Sequence, residues 1–470
     1  MAELSRREVL VAGAALGISG LSHASEDYDL VVQGGTVVDP ETRFRAIRYV
    51  GIRGGKIAAV SKNKLKGRRV IDAAGLVVAP GFIDPIAHGQ NLENDRLQAL
   101  DGVTTKLQME NGAEDQDLWH KDQQGKRILN FGAGYSHTKA RGTIFKDDSE
   151  RAVATDSQVR DMAIMLDGQL RKGALGVGFG LEYQPGSTRW EVIEMFRIAG
   201  LHKARCHVHT RYGTLLEEES NLTALQEVIA NGLVHGTPVH ICHVPSMALG
   251  NTERALAFIE RAQARGLDVT ADFYPYTAFG TGIASEVFAP GWQKKFGIDY
   301  KDLQYAKTNE RLTAETFEKY RAEGGMVIAH AIPEAAVRAA VKSSCALVGS
   351  DGSLREGVGH PRSAGTFCRV LGHYALREGL ISMETALAKM TYRTAKVFEA
   401  RCPEFKRKGR LRVGMDADIV AFDPRTVIDS STFDKPGAPS KGIEWLLVNG
   451  QVVVEKGQVL EVMAGKPLRA

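Results

Sequence analysis

The sequence predicts an α/β chain, a (β/α)8 TIM barrel with a small β-sandwich domain formed by both chain ends. Three observations carry this expectation. The middle of the chain alternates short apolar runs with helical patterns, the rhythm of βα units around a parallel sheet. Both ends are written instead in strands and turns. At 470 residues the chain can bury a large core and still carry a second layer.

The first 24 residues stand apart from this scheme. "LSRREVLVAGAALGISGLSHA" sets Arg6 and Arg7 before an apolar stretch interrupted by Gly13, Gly17 and Gly20, and it ends in Ser22-His23-Ala24, a small-x-small pattern. The stretch is short for a membrane span. Residues 1–24 are therefore expected to be a twin-arginine-type export signal, cleaved after about Ala24, with a periplasmic or extracellular destination.

From Tyr28 to Val78 the runs "YDLVVQGGTVVDP", "RYVGIRGGKIAAVS" and "RRVIDAAGLVV" are strands punctuated by Gly and Asp-Pro. The idiom returns in "GRLRVGMDADIVAFDP" and "WLLVNGQVVVEKGQVL", where Asn449-Gly450 marks a hairpin turn. Residues 25–79 and 409–470 are thus expected to form one composite β-sandwich, and 80–408 the barrel. Eight strand candidates fill the barrel: "GFIDPIAH", "VTTKLQME", "ILNFGAG", "GALGVGFG", "KARCHVHT", "PVHICHVP", "DVTADFYP" and "CALVGSDG". Between the last two lies an over-long insertion, residues 279–340, and connections of that length usually serve as lids or substrate covers.

Composition narrows the partners. The 60 basic and 56 acidic residues leave a net charge of +4 without long basic runs, so no nucleic-acid surface is expected and no membrane partner once the signal is removed. A small-molecule substrate fits this balance, and oligomeric state is not readable. Five cysteines, without CxxC pairing, do not read as a disulfide framework; Cys206, Cys242 and Cys345 lie in strand-like runs as buried thiols.

In a barrel of this kind the active site lies at the C-terminal ends of the strands. The polar residues ending strands are His88, Glu110, His209, His243 and Asp351, from strands one, two, five, six and eight. Imidazole and carboxylate together suit zinc or a similar divalent cation. In "HVHTR" His209 is preferred to His207 because it is nearer the strand end. In "HICH" period two puts His240 and His243 on opposite faces, and the later residue is again preferred. Parity also selects Glu110: Lys106, Gln108 and Glu110 share one face, expected to look inward, while Leu107 and Met109 share the other, expected to pack under the helices.

Those residues and "YDLVVQGGTVVDP", "VIDAAGLVVAPGFID", "GALGVGFGLEYQPG", "DGSLREGVGHPRSAGTFCRVL", "MTYRTAKVF" and "KGRLRVGMDADIVAFDP" resemble the amidohydrolase superfamily, and within it the N-acyl-D-amino-acid deacylase (D-aminoacylase) family, over nearly the whole mature chain. The resemblance implies a hydrolase of linear amides, in which a metal-activated water attacks the amide of an N-acyl amino acid, D-configured, and Asp351 takes the water's proton and delivers it to the leaving nitrogen. Glu110, His209 and His243 would be the metal ligands. Arg362 in "GHPR" resembles the family's arginine for the substrate carboxylate, with Tyr274, Tyr276 and Arg211 as further substrate-binding candidates.

Two departures stand out. Typical members carry a cysteine on strand two where this chain has Glu110, and His-x-His on strand one where it has Ile86-x-His88. With one imidazole gone, the expectation is one Zn2+ per chain, other divalent metals being possible, with His88 left to hydrogen-bond the substrate or the water. Two alternatives stay open: a catalytically impaired pseudoenzyme or small-molecule-binding relative, with Lys106 supplying charge where a metal once sat, and a cyclic-amide or dipeptide hydrolase. The cyclic-amide hydrolases usually use a strand-four lysine, which "GVGFGLEY" lacks.

Overall fold

Eight parallel strands follow one another around the barrel in sequence order: Phe82–Asp84, Val103–Ala113, Asn130–Ser136, Gly176–Gly180, Arg205–His209, Val239–Ile241, Val269–Phe273 and Ala346–Val348. This computed structural model describes residues 28–217 and 219–470, so the expected export signal lies outside the described residues. The ring closes between strands one and eight, just past their regular ends. There the Asp351 N–H donates to Ile86 O at 2.8 Å, and the His88 and Gly89 N–H groups donate to Gly352 O at 2.9 and 3.0 Å.

The strands are buried almost throughout because helices cover their outer faces. These helices carry ordinary punctuation. Ser220 caps Asn221–His235 by accepting from Thr223 N–H, and the helix ends on Gly236 in the left-handed region at φ 61°. Between the strand ends opposite the site, the interior is filled by Ile83, Leu107, Met109, Leu175, Leu347 and Phe398.

A nine-stranded sheet takes strands from both chain ends. The halves meet where Val77–Pro80 pairs antiparallel with Ile419–Phe422, and Val77–Pro80 runs through Gly81 directly into barrel strand one. The sheet encloses its own core, including Val37, Ile52, Val78, Ile419 and Leu447. Asn449 and Gly450, at φ 50° and 79°, turn the hairpin between Ile443–Val448 and Gln451–Glu455.

The insertion is a folded unit rather than a slack loop. Phe279–Gly282, Met326–Ala329, Leu303–Tyr305 and Glu310–Arg311 form a four-stranded antiparallel sheet. Beside it Phe288, Trp292, Phe296, Tyr300 and Phe317 pack ring against ring at centroid separations of 5.3–6.3 Å. The five cysteines are free and buried. Among the described residues no helix is long and apolar enough to cross a membrane.

Lys106 does not look inward as parity predicts. Its ammonium lies 3.1 Å from Asp95, on the helix Leu92–Leu100, and also meets the Gly89 carbonyl. Asp95 in turn receives Arg127 Nε at 2.8 Å and Ile128 N–H at 3.1 Å. One carboxylate thus serves two buried cations, and removing a partner from such a network costs about 3–5 kcal/mol. The charge that motivated a metal-free binding protein is therefore committed to packing between strand two and its helix.

Candidate active site

A cavity of about 300 Å³ opens at the C-terminal ends of the strands. His88, Glu110, His209, His243, Asp351, Arg362 and Tyr274 all line it. Tyr276 and Arg211 do not. The Tyr276 hydroxyl is taken up by Ser431 at 3.2 Å, beneath the cavity wall. Arg211 forks onto the Glu227 carboxylate at 2.8 and 3.0 Å, facing the helix after strand five. An arginine two residues past a strand-end ligand has already left the barrel mouth.

Glu110 reaches the site by a route that period two does not describe. Gln108 pairs with Ala133 and the next pair is Ala113 with Tyr135, so strand two bulges over the intervening residues. Gly112 turns the bulge at φ 58°, and a Cβ on Gly178 would sit 1.9 Å from the Glu110 carbonyl oxygen, so only glycine lets the bulge pack on strand four. Met109 faces inward as well: its methyl and the His207 ring both approach the Cβ position of Gly176. Leu107 and Met109 thus fill the barrel interior rather than packing under the helices.

His243 departs from parity for a related reason. Strand six ends at Ile241, and His243 adopts a left-handed backbone at φ 33°, held by its N–H donating to Asp272 Oδ1 at 2.8 Å. His240 also turns inward, its ring 4.9 Å from that of His207 and its Nε2 2.6 Å from Asp272 Oδ2. Asp351 is likewise left-handed, at φ 50°. Non-glycine residues held in this region cost about 1–3 kcal/mol each and are found disproportionately where function needs the side chain aimed.

Three donor atoms converge. His209 Nδ1, His243 Nε2 and Glu110 Oε1 lie 3.2, 3.2 and 3.4 Å from one another. The far nitrogens are already committed: His209 Nε2 meets Glu182 Oε2 at 3.0 Å, and His243 Nδ1 meets Ser246 Oγ at 2.9 Å. Ser246 gives its own proton to the His243 carbonyl, at 2.8 Å, so its oxygen accepts from Nδ1–H. The nitrogens facing each other then present lone pairs beside a carboxylate oxygen, an arrangement that calls for a cation. A tetrahedral ion with bonds of about 2.0–2.1 Å sets its ligand atoms about 3.3–3.4 Å apart, so the triangle fits one face of such a polyhedron.

A second group shares Glu110. His88 Nε2 lies 3.3 Å from Glu110 Oε2 and 2.8 Å from Asp351 Oδ1, and Asp351 Oδ2 lies 2.8 Å from Arg362 Nη1. Arg362 also donates to Gly280 O at 3.1 Å, and its guanidinium rests 4.6 Å above the Tyr274 ring. Burial pushes the Asp351 carboxyl up, but the charge of Arg362 and the imidazoles around it hold it below its usual range. Ile86, where the resemblance leads one to expect a second imidazole, is fully buried and is not among the lining residues.

Strand four contributes two residues that sequence reasoning missed. Glu182 holds His209 as described; burial pushes its carboxyl up, but the Lys295 ammonium and His209 outweigh this and bring it to about 2. Tyr183 packs against His209 with the rings tilted and 4.8 Å apart, and hydrogen-bonds Thr281 of the insertion at 2.9 Å. The signal was present in "GVGFGLEY", whose polar residues follow directly on the strand end. The insertion supplies Phe279, Val287, Phe296 and Met326 to the cavity wall, with Met247 adding to the same apolar surface.

A parallel eight-stranded barrel whose strand ends gather two imidazoles and a carboxylate at zinc-ligand spacing, beside a second carboxylate, has the architecture of a metal-dependent hydrolase. The amidohydrolase family model matches residues 69–454. The chain is 32% identical over 475 residues to the N-acyl-D-glutamate deacylase of Alcaligenes xylosoxydans xylosoxydans, covering 91% of this chain and 94% of that protein. It superimposes, at TM-score 0.81 and 28% identity over 95% of its length, on all of the N-acyl-D-glutamate deacylase of Bordetella bronchiseptica, solved with zinc and a phosphonate mimic of the tetrahedral intermediate. A D-aminoacylase whose binuclear centre is described by one-metal activation and second-metal attenuation matches at TM-score 0.78 and 28% identity, covering 94% of this chain and 100% of that one. The chain belongs to the amidohydrolase family and, within it, to the N-acyl-D-amino-acid deacylases.

Proposed function

We propose that this protein hydrolyses the amide of N-acyl-D-amino acids with apolar side chains, using one zinc ion. The observation that carries the proposal is the triangle of Glu110, His209 and His243 with Asp351 across the shared Glu110 carboxylate. A zinc ion held by these three ligands supplies a Lewis acid that polarises the carbonyl and makes water acidic near neutrality. Asp351, ionised and aimed by His88 and Arg362, accepts the proton of the attacking water on Oδ1 or Oδ2 and returns it to the departing nitrogen. His88 Nε2–H donates to Asp351 Oδ1 and so keeps that carboxylate beside the triangle. Arg362 binds the substrate carboxylate as a planar fork, and Tyr274 keeps that fork in place from below.

The apolar preference rests on the wall. Arg362 is the lone lysine or arginine among the described residues lining the cavity, and Phe279, Val287, Phe296, Met326 and Met247 fill the side facing the insertion. An acidic substrate side chain would lose its hydration against that apolar side without gaining a cationic partner. With zinc loaded, N-acetyl-D-leucine and N-acetyl-D-methionine are expected to be turned over with kcat/KM at least about tenfold above N-acetyl-D-glutamate, the L-enantiomers lagging further. The absence of turnover across D- and L-panels would instead support a catalytically impaired relative.

One ion is favoured by the poverty of the second group. His88 is its single imidazole, and the Arg362 guanidinium sits 2.8 Å from Asp351, a positive charge where a second cation would have to bind. A D-aminoacylase described as activated by one metal supports this reading. Zinc titration is expected to give about one tight ion per chain, and Ile86→His to add a second, weaker one. Two tight ions in the unaltered protein would overturn it. Export by the twin-arginine route, with a periplasmic or extracellular location, is proposed from Arg6-Arg7 and the apolar stretch behind them.

A further inference from the structure

The insertion touches the metal site through one charged pair. Lys295 lies on the short helix Trp292–Phe296, and its ammonium meets Glu182 Oε1. The other oxygen of that carboxylate, Oε2, receives His209 Nε2 at 3.0 Å, while His209 Nδ1 belongs to the donor triangle. An insertion residue is therefore two contacts away from a metal-facing lone pair. Glu182 is almost fully buried, with 4% of its side chain exposed. In such a place a carboxylate needs a counter-charge, and Lys295 and His209 are its ion-pair partners.

The surroundings are shaped for this contact. The carbonyl of Lys295 accepts from Thr214 Oγ1 at 2.9 Å, so the loop after strand five, the His209 strand, grips the same residue from its main chain. A Cβ on Gly213 would stand 3.0 Å from Glu182 Oε1, so that loop lies directly against the carboxylate. Next to Lys295, Phe296 turns into the cavity wall and packs on Phe279, ring centroids 5.4 Å apart. The helix thus offers its charge to the metal ligand and its ring to the substrate space.

We propose that Lys295 and Glu182 form a positioning relay to His209, so that seating of the insertion and retention of the metal are one linked equilibrium. Glu182 fixes the tautomer and orientation of His209 by accepting its Nε2–H, the way outer carboxylates hold metal-binding imidazoles. Lys295 neutralises Glu182 and keeps it aimed. Because linkage is reciprocal, zinc at the triangle holds the insertion down by the same factor by which the seated insertion tightens zinc. The inference rests on the zinc reading above, and neither Lys295 nor Glu182 touches substrate.

The test uses the full chain and two readouts other than turnover: zinc affinity by competition with a chelator, and hydrogen exchange of residues 283–300 with and without zinc. Glu182→Gln is expected to raise the zinc dissociation constant about 10–100-fold and Lys295→Met about tenfold, with the double variant no weaker than Glu182→Gln alone and Lys295→Arg near the unaltered value. Zinc should slow exchange in the insertion of the unaltered protein and lose that effect in Lys295→Met. A zinc affinity within twofold of the unaltered protein in Lys295→Met, or exchange in the insertion that ignores zinc, would overturn the relay. Failure of the unaltered protein to bind zinc at all would overturn the zinc reading itself. Circular dichroism of each variant separates loss of the relay from loss of fold, and if Lys295→Met unfolds Glu182→Gln decides: a zinc affinity within twofold of the unaltered protein in that variant overturns the relay as well.

Discussion

Asp351→Asn lowers kcat by about 10³-fold or more while the zinc content stays that of the unaltered protein. Asparagine matches the carboxylate in shape, and its one amide oxygen can still accept from either His88 or Arg362, so the backbone and the zinc ligands are expected to stay in place. What disappears is the ability to hold a proton between attack and departure. The positions of His88 and Arg362, each 2.8 Å from a different oxygen, leave Asp351 a narrow range of orientations, and its left-handed backbone narrows the range further. Steady-state rates on N-acetyl-D-leucine together with metal analysis check this. A variant that keeps more than a tenth of the activity would transfer the proton-handling role to another group.

Glu110→Ala removes the metal and the activity together. It deletes one vertex of the triangle and the carboxylate that joins His88 to the imidazole pair, so both groups lose their common member. Two imidazoles alone make a weak zinc site. The purified variant is expected to hold well under a tenth of an ion per chain after dialysis against a mild chelator, and kcat/KM to fall by about 10³-fold or more. Excess zinc should restore a small part of the rate. Full zinc occupancy in this variant, by elemental analysis, would place the ion elsewhere.

Much of the architecture was legible because its signals are local. A strand buried by helices on its outer face reads as a short apolar run, and a turn reads as Asn-Gly or Asp-Pro, whatever the rest of the chain does. The membership of the cavity was legible where a polar residue ends an apolar run, as at His209 and Asp351. What failed was the assumption of a regular strand up to the site. Glu110 was chosen by a parity that its own bulge abolishes, and the same parity sent Lys106 inward and Leu107 and Met109 outward, against the structure. His240 was set aside by an alternation that stops at Ile241. Strand ends at active sites are where backbones depart from period two, since bulges and left-handed residues are what re-aim side chains there.

Other misses arose from long-range pairing. Arg211 looks like a site residue until Glu227, on the following helix, is seen to occupy it. Glu182 gains its meaning from Lys295, which is distant in sequence and lies in a segment whose fold no periodicity reveals. Charge pairs between a strand end and an inserted unit leave no mark in either stretch alone.

The closure of the barrel has a consequence for how this site can change over generations. Ile86 serves the fold through its carbonyl, which accepts the Asp351 N–H at 2.8 Å and the Ser350 hydroxyl at 3.2 Å. Every amino acid brings that oxygen. The main-chain tie to Asp351 thus does not depend on which side chain stands at position 86. A descendant or an engineer can therefore change the residue at position 86 and keep the main-chain bond that closes the barrel at Asp351.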